Sequence, residues 1–212
     1  DFIVGTNQLF YDMSQGIPGS PHALGNGHAV IEYDSPWGRP IARWTPYFGE
    51  ERKEEFEVKK NKLVERFGEE RAERISRYSR NLFIFPNLIV NDIMAITIRT
   101  FFPVTPDYME IRAWALAPKD ESPDDRALRL DNYLTFLGPG GYATPDDVEA
   151  LEACQRGFAT FRELQWSDIS RGMGRDDPKP DDELQMRTFW RQWNELMTGR
   201  QLTPSMPQGV GI

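Results

Sequence analysis

The side chains able to do chemistry here are few: His22 and His28, the adjacent acids Asp146 and Asp147, and the lone Cys154. A mononuclear iron that binds oxygen takes two imidazoles and one carboxylate on one face and keeps its other positions open. His22 and His28 could supply imidazoles, but neither a helix nor a strand places i and i+6 side by side. His28 reads as a strand residue hydrogen-bonded within the core, and His22, beside Ser20-Pro21, as an exposed loop residue. Asp147 taken alone is a first-turn helix acid facing the positive helix end. With one cysteine, neither an internal disulfide nor a cysteine-built zinc or iron–sulfur site can form within these residues.

Other chemistries lack their residues. The chain has no Gly-x-Ser-x-Gly nucleophile turn and no Gly-x-x-x-x-Gly-Lys-Ser/Thr phosphate loop. Gly138-Pro139-Gly140-Gly141 is glycine-rich, but it follows a helical stretch, and Pro139 lacks the N–H that a phosphate cradle needs. It reads as a sharp backbone turn. Acids outnumber bases by 33 to 25, for a net charge of -8, which speaks against a nucleic-acid binder. No apolar run approaches the roughly 18 residues of a membrane helix. The longest, Leu82 to Val90, is broken by Pro86 and Asn87. No signal peptide opens the chain, and a single cysteine fits a reducing compartment, so a cytoplasmic location is expected. Asp1-Phe2-Ile3-Val4 reads like the middle of a longer protein, so the chain is expected to be truncated at its N-terminus.

The elements that must position these residues follow from periodicity. Residues 1–25 read as irregular, punctuated by glycine and proline. Gly27–Tyr33 reads as a strand and residues 35–48 as a loop. From about Gly49 to Tyr78 apolar residues recur at helical spacing, with Gly68 dividing two helices. Asn81–Val90, Ile93–Phe102 and Tyr108–Ala117 read as three strands of an antiparallel meander, joined at Asn91-Asp92 and Pro103–Asp107. Pro123 to about Phe136 is helical. Thr144-Pro145-Asp146-Asp147 opens the next helix with Thr144 as its cap. Pro180 begins a last helix with an apolar stripe of Phe189, Trp190, Trp193, Leu196 and Met197, and the tail after Gly199 is expected to extend across a neighbouring surface. A meander plus helices makes an α+β domain.

The run Leu137-Gly138-Pro139-Gly140-Gly141-Tyr142-Ala143-Thr144-Pro145-Asp146-Asp147 resembles a stretch of Rieske-type aromatic-ring-hydroxylating dioxygenase large (alpha) subunits. Three more stretches agree in order and spacing: Gly25-Asn26-Gly27-His28, Asn81-Leu82-Phe83-Ile84-Phe85-Pro86-Asn87, and Ser170-Arg171-Gly172-Met173 followed by Phe189-Trp190-Arg191-Gln192-Trp193. Each is weak alone, but the four in order cover nearly the whole chain. The stretch Gly27–Pro40 and the Phe-Trp-x-x-Trp ending resemble the benzoate and p-cumate dioxygenase branch.

The resemblance implies a helix-grip (START-like) domain, a curved antiparallel sheet wrapped around helices, with residues 1–212 forming the catalytic mononuclear-iron domain. It implies that Asp147 is the carboxylate ligand of a non-haem Fe(II). It also implies a substrate pocket that includes Leu137, Ala143, Val30 and Asn81. The reaction it implies is cis-dihydroxylation of an aromatic ring, most simply a monocyclic aromatic acid, by O2. Electrons would pass from NADH through a reductase, and often a ferredoxin, to a Rieske 2Fe–2S cluster and then to the iron. An α3 or α3β3 oligomer with a small β subunit would be the assembly. The Rieske cysteine–histidine pairs are absent here. So is the Asp-x-x-His-x-x-x-x-His segment that supplies the two iron histidines, and both are expected upstream of Asp1. Two other readings use the same architecture: a non-redox helix-grip module holding a hydrophobic ligand, and the metal-free small β subunit.

Overall fold

In a computed structural model, residues 18–200 are described. Six strands form one antiparallel sheet in sequential order: β1 (Gly19–Gly25), β2 (His28–Asp34), β3 (Tyr78–Ile84), β4 (Leu88–Asp92), β5 (Ile96–Thr105) and β6 (Tyr108–Ala115). Five α-helices accompany it: α1 (Lys53–Phe67), α2 (Glu69–Arg77), α3 (Pro123–Phe136), α4 (Thr144–Phe158) and α5 (Leu184–Thr198). Two short 3-10 turns, Pro46–Phe48 and Glu50–Arg52, precede α1. Every strand pairs with its sequence neighbour, so the α+β meander expected from period-2 patterning is the observed architecture.

The boundaries differ where turn chemistry outweighs apolar content. Gly19–Gly25 is strand β1, although its glycines and proline read as irregular; its pairing to β2 supplies the order. The stretch Asn81–Val90 is not one strand but β3 and β4, which turn back at Phe85-Pro86-Asn87 through a cis Phe85–Pro86 bond. Pro86 has no N–H to give to a ladder, so the chain leaves the strand there. Asn91 and Asp92 belong to β4 rather than to a hairpin link, and the turn falls at residues 93–95. The last helix begins at Leu184, four residues later than Pro180. In the segment before it, the Asp182 carboxylate is fully buried and accepts hydrogen bonds from Lys179 N (2.8 Å) and Arg175 (3.0 Å). Expectations about residues 1–17 and the tail beyond Arg200 lie outside the described residues.

Register decides what each side of the sheet carries. Ala29, Phe83, Ile89, Arg99 and Ala113 form one cross-strand row, and Ile31, Asn81, Asn91, Thr97 and Ala115 the next row on the same face. Helix α5 lies on this face, with the Phe189 ring 5.7 Å from Phe83 and 5.3 Å from Phe85. Its apolar stripe docks through Phe189, while Trp190, Trp193, Leu196 and Met197 remain exposed. The opposite face carries a row of charge: Glu32, Arg80 and Asp92 lie across from one another, with Arg80 bridging to both acids and the buried Arg39 also held by Asp92.

Candidate functional site

The turn that delivers Asp147 is built on the end of α3. Leu137 N and Gly138 N both donate to Tyr133 O (2.8 Å each), Tyr142 N to Thr135 O (2.9 Å) and Ala143 N to Phe136 O (3.0 Å). The loop thus returns over the helix end and satisfies carbonyls that α3 leaves unpaired. Two glycines permit the approach. A Cβ at Gly138 would fall 2.6 Å from Leu134 O, and one at Gly141 2.7 Å from Phe136 O. Thr144 is not the cap of α4. Ala143 takes that position, and the Thr144 hydroxyl donates instead to Leu137 O at 2.8 Å, pinning the two ends of the turn together. Gly141 N closes the loop on Gly138 O at 2.9 Å, so its role is a sharp turn, as the sequence suggests.

Asp147 then stands in the first turn of α4 and faces the sheet. Arg99 of β5 reaches it, with NH1 3.8 Å from Oδ2, and Arg99 keeps only 15% of its side-chain surface exposed against 61% for Asp147. At that exposure the pair contributes about 0–1 kcal/mol, so its meaning is positional. Partial desolvation pushes the Asp147 carboxyl above the ordinary carboxylate range; Arg99 pulls it down, and the neighbouring charge of Asp146 adds to the rise.

The other sequence-predicted residues divide. Asn81 lies on the same sheet face as Arg99, while Val30 pairs with Leu82 and points to the opposite face. Adjacent residues of paired strands alternate sides, so one pocket on the helix-bearing face cannot take both, and Val30 leaves the candidate site. Leu137 is buried and Ala143 half-buried, at the start and end of the Asp147 turn. Cavities of about 350 and about 600 Å³ lie elsewhere: one between α1, α3 and residues 92–96, the other between Trp37, Tyr47 and the end of α3. Neither is lined by Asp147, Asn81 or Arg99. What the sequence did not reveal is Arg99 and the polar pair Asn91 and Thr97. Alternation alone put Thr97 and Arg99 on a common face but could not say that this face meets α4.

The histidines are engaged elsewhere. His22 is a half-buried residue of β1, not a loop residue, and its Nε2 lies 2.8 Å from Ser20 Oγ. The Nδ1 of His28, the half-buried first residue of β2, accepts from Phe85 N at 3.0 Å, so the expected strand hydrogen bond is present but lies at the edge of the core. Among the described residues no three His, Cys, Asp or Glu side chains come together to hold a metal ion. For the iron implied by the resemblance, these residues offer a single carboxylate and do not by themselves form a complete centre. No helix among them is long and apolar enough to cross a membrane.

Comparison with known proteins gives the family and the fold. Residues 28–199 match the family described as "Ring hydroxylating alpha subunit (catalytic domain)". The chain is 39% identical over 166 residues to the 2-halobenzoate 1,2-dioxygenase large subunit of Burkholderia cepacia, covering 77% of this chain and 32% of that protein. It is 37% identical over 157 residues to the toluate 1,2-dioxygenase subunit alpha of Pseudomonas putida, covering 74% of this chain and 31% of that protein. It therefore spans about a third of the length of these relatives. The naphthalene 1,2-dioxygenase from Rhodococcus sp. bound to indole superposes with a TM-score of 0.64 at 23% identity, over 88% of this chain and 46% of that one, and shows the shared fold. The match to alpha subunits sets aside the small-subunit reading, and dioxygenase relatives do not favour the non-redox binding module. The chain belongs to the ring-hydroxylating alpha-subunit family and matches its catalytic domain.

Proposed function

We propose that residues 1–212 are the catalytic part of a longer large subunit in a multicomponent dioxygenase. In this reading it uses O2, and electrons from NADH, to cis-dihydroxylate an aromatic substrate at a non-haem Fe(II). The substrate class is monocyclic aromatic acids, the reading supported by relatives named for halobenzoate and toluate. Electrons arrive through a reductase, with or without a ferredoxin, and a Rieske 2Fe–2S cluster outside this chain. The assembly is α3 or α3β3 in the cytoplasm.

The observation that carries the reading is the delivery of Asp147 by the Gly138–Gly141 turn, at the start of α4 and opposite Arg99 on the helix-bearing face. Asp147 is the carboxylate ligand; its two imidazole partners come from residues outside those described. Leu137, Ala143 and Asn81 border the substrate. The protein's own contribution is a shaped, water-poor pocket with an open coordination face.

Asp147→Ala in the full-length, reconstituted enzyme tests this. Turnover is expected to be abolished and mononuclear iron depleted, with the Rieske absorption intact. Turnover persisting with iron still bound would reduce Asp147 to a helix-terminal acid. Loss of that role alone costs about 0.5–2 kcal/mol, so a small fall in stability does not decide the matter.

A further inference from the structure

Strands β3, β4 and β5 place three polar side chains in one row on the helix-bearing face, with Asn81 opposite Asn91 and Asn91 opposite Thr97. Thr97 is fully buried and Asn91 nearly so. A buried polar group without a partner costs about 1–3 kcal/mol, so such a row persists only if it is satisfied. It is satisfied in one direction. The Thr97 hydroxyl donates to Asn91 Oδ1 at 3.3 Å, and Asn91 Nδ2 donates to Asn81 Oδ1 at 2.6 Å. With its Oδ1 on the Thr97 hydroxyl, Asn91 presents its Nδ2 to Asn81. Asn81 must then turn its oxygen to Asn91 and its Nδ2 donors away.

Those donors meet no acceptor among the described residues. Asn81 is half-buried, and its Nδ2 is not one of the sealed-off unpaired atoms, which include Arg99 Nε. The row therefore runs from a sealed hydroxyl to an open amide donor. One row along the same face stands the Arg99 guanidinium beside Asp147. An open amide donor on the same face as Asp147 suits an oxygen acceptor on a ligand.

We propose that Asn81 Nδ2 hydrogen-bonds the carboxylate of the aromatic acid, and that Asn91 and Thr97 are positioning residues that fix the amide's orientation. The inference rests on the dioxygenase reading above. It supplies the group that distinguishes an acid from a neutral arene of the same shape. A site that presents a donor discriminates against an analogue with no acceptor, because that donor is left unpaired.

Asn81→Asp is the sharpest test, because an aspartate oxygen still accepts from Asn91 while the free donor becomes an anion. In the full-length subunit, binding of benzoate and toluene is measured under anaerobic conditions, and kcat/KM for both with the reconstituted system. The ratio of benzoate to toluene is expected to fall about 100-fold, in both binding and kcat/KM. Thr97→Val, which removes the hydroxyl at constant volume, should raise KM for benzoate about fivefold with little change in kcat, and Thr97→Ser should restore it. An equal effect of Asn81→Asp on both compounds, or wild-type benzoate binding in that variant, would overturn the proposal. Wild-type protein that consumes no oxygen with either arene would sink the dioxygenase reading instead, and the anaerobic binding ratio would still decide the role of Asn81.

Discussion

Two aspartates show how one side chain takes opposite characters from its surroundings. Asp34, at the end of β2, is buried, yet hydrogen bonds from Arg43 and Arg77 (Nε to Oδ2, 2.7 Å) outweigh that burial and hold its carboxyl below the ordinary range. Asp147, far more exposed, faces one arginine at 3.8 Å, and its partial desolvation outweighs that distant pair. A lowered folded value means that Asp34 contributes stability that is complete above the ordinary carboxylate range. That stability is lost as the pH falls through the folded value. In the full-length protein, unfolding free energy should therefore fall as pH drops from about 5 toward 3. Asp34→Asn should flatten part of that fall and cost about 1–3 kcal/mol at neutral pH, through the weakened charge-assisted bonds to Arg43 and Arg77. Urea midpoints at a series of pH values, wild type beside variant, measure both; parallel curves would remove Asp34 from the acid response.

At the scale of elements, glycine positions separate backbone requirement from steric fit. Gly68 divides α1 from α2 with φ 79° and ψ 164°, and open space surrounds the place where a Cβ would stand. Gly68→Ala meets no clash and is opposed by backbone conformation alone, so it should cost about 1–3 kcal/mol. Gly140, in the turn before Asp147, has neither a positive φ nor a neighbour near its Cβ position. Gly140→Ala should be nearly neutral, within about 0.5 kcal/mol. Thermal melts of the two variants in the same background check the contrast. Equal destabilisation would mean that the Asp147 turn depends on Gly140 as well as on the close approaches at Gly138 and Gly141. The same turn explains why Thr144 misled as a cap. Its hydroxyl serves Leu137 O, a contact set by how the loop folds back rather than by the local Thr-Pro-Asp-Asp pattern.

At the scale of the molecule, one sheet divides its two faces between different tasks. The helix-bearing face holds Asp147, Arg99 and the Asn81 row, while the other holds the Glu32–Arg80–Asp92 ion row. Large apolar side chains such as Phe102, Ile111, Trp114, Leu151 and Trp166 remain exposed on β5, β6, α4 and the segment after it. The chain spans about a third of its relatives' length, and the proposed centre needs ligands beyond the described residues. Iron analysis of the full-length subunit is expected to give about three atoms per chain, two in the Rieske cluster and one mononuclear. Asp147→Ala should leave about two. An iron-free full-length protein would reject the redox reading altogether.

Much of the architecture was legible because strand alternation and helical spacing are local signals. They placed the helices on either side of Gly68, the β5–β6 hairpin and α3 to within a few residues. The order of four short motifs pointed to the family, and the proline in Gly138–Gly141 marked that loop as a turn. Strand β1 escaped because its glycines and proline carry no period, and pairing with β2 supplies its order. The candidate site was legible only at Asp147, Leu137, Ala143 and Asn81, and there only through resemblance. Register and helix placement decided the rest. A shift of one residue reverses every side chain on a strand, so cross-strand pairing removed Val30 from the site and joined Asn81 to Asn91 and Thr97. The meeting of Arg99 with Asp147 depends on where the turn after α3 lays α4 against the sheet, a distance relation between residues 48 positions apart that no local pattern encodes.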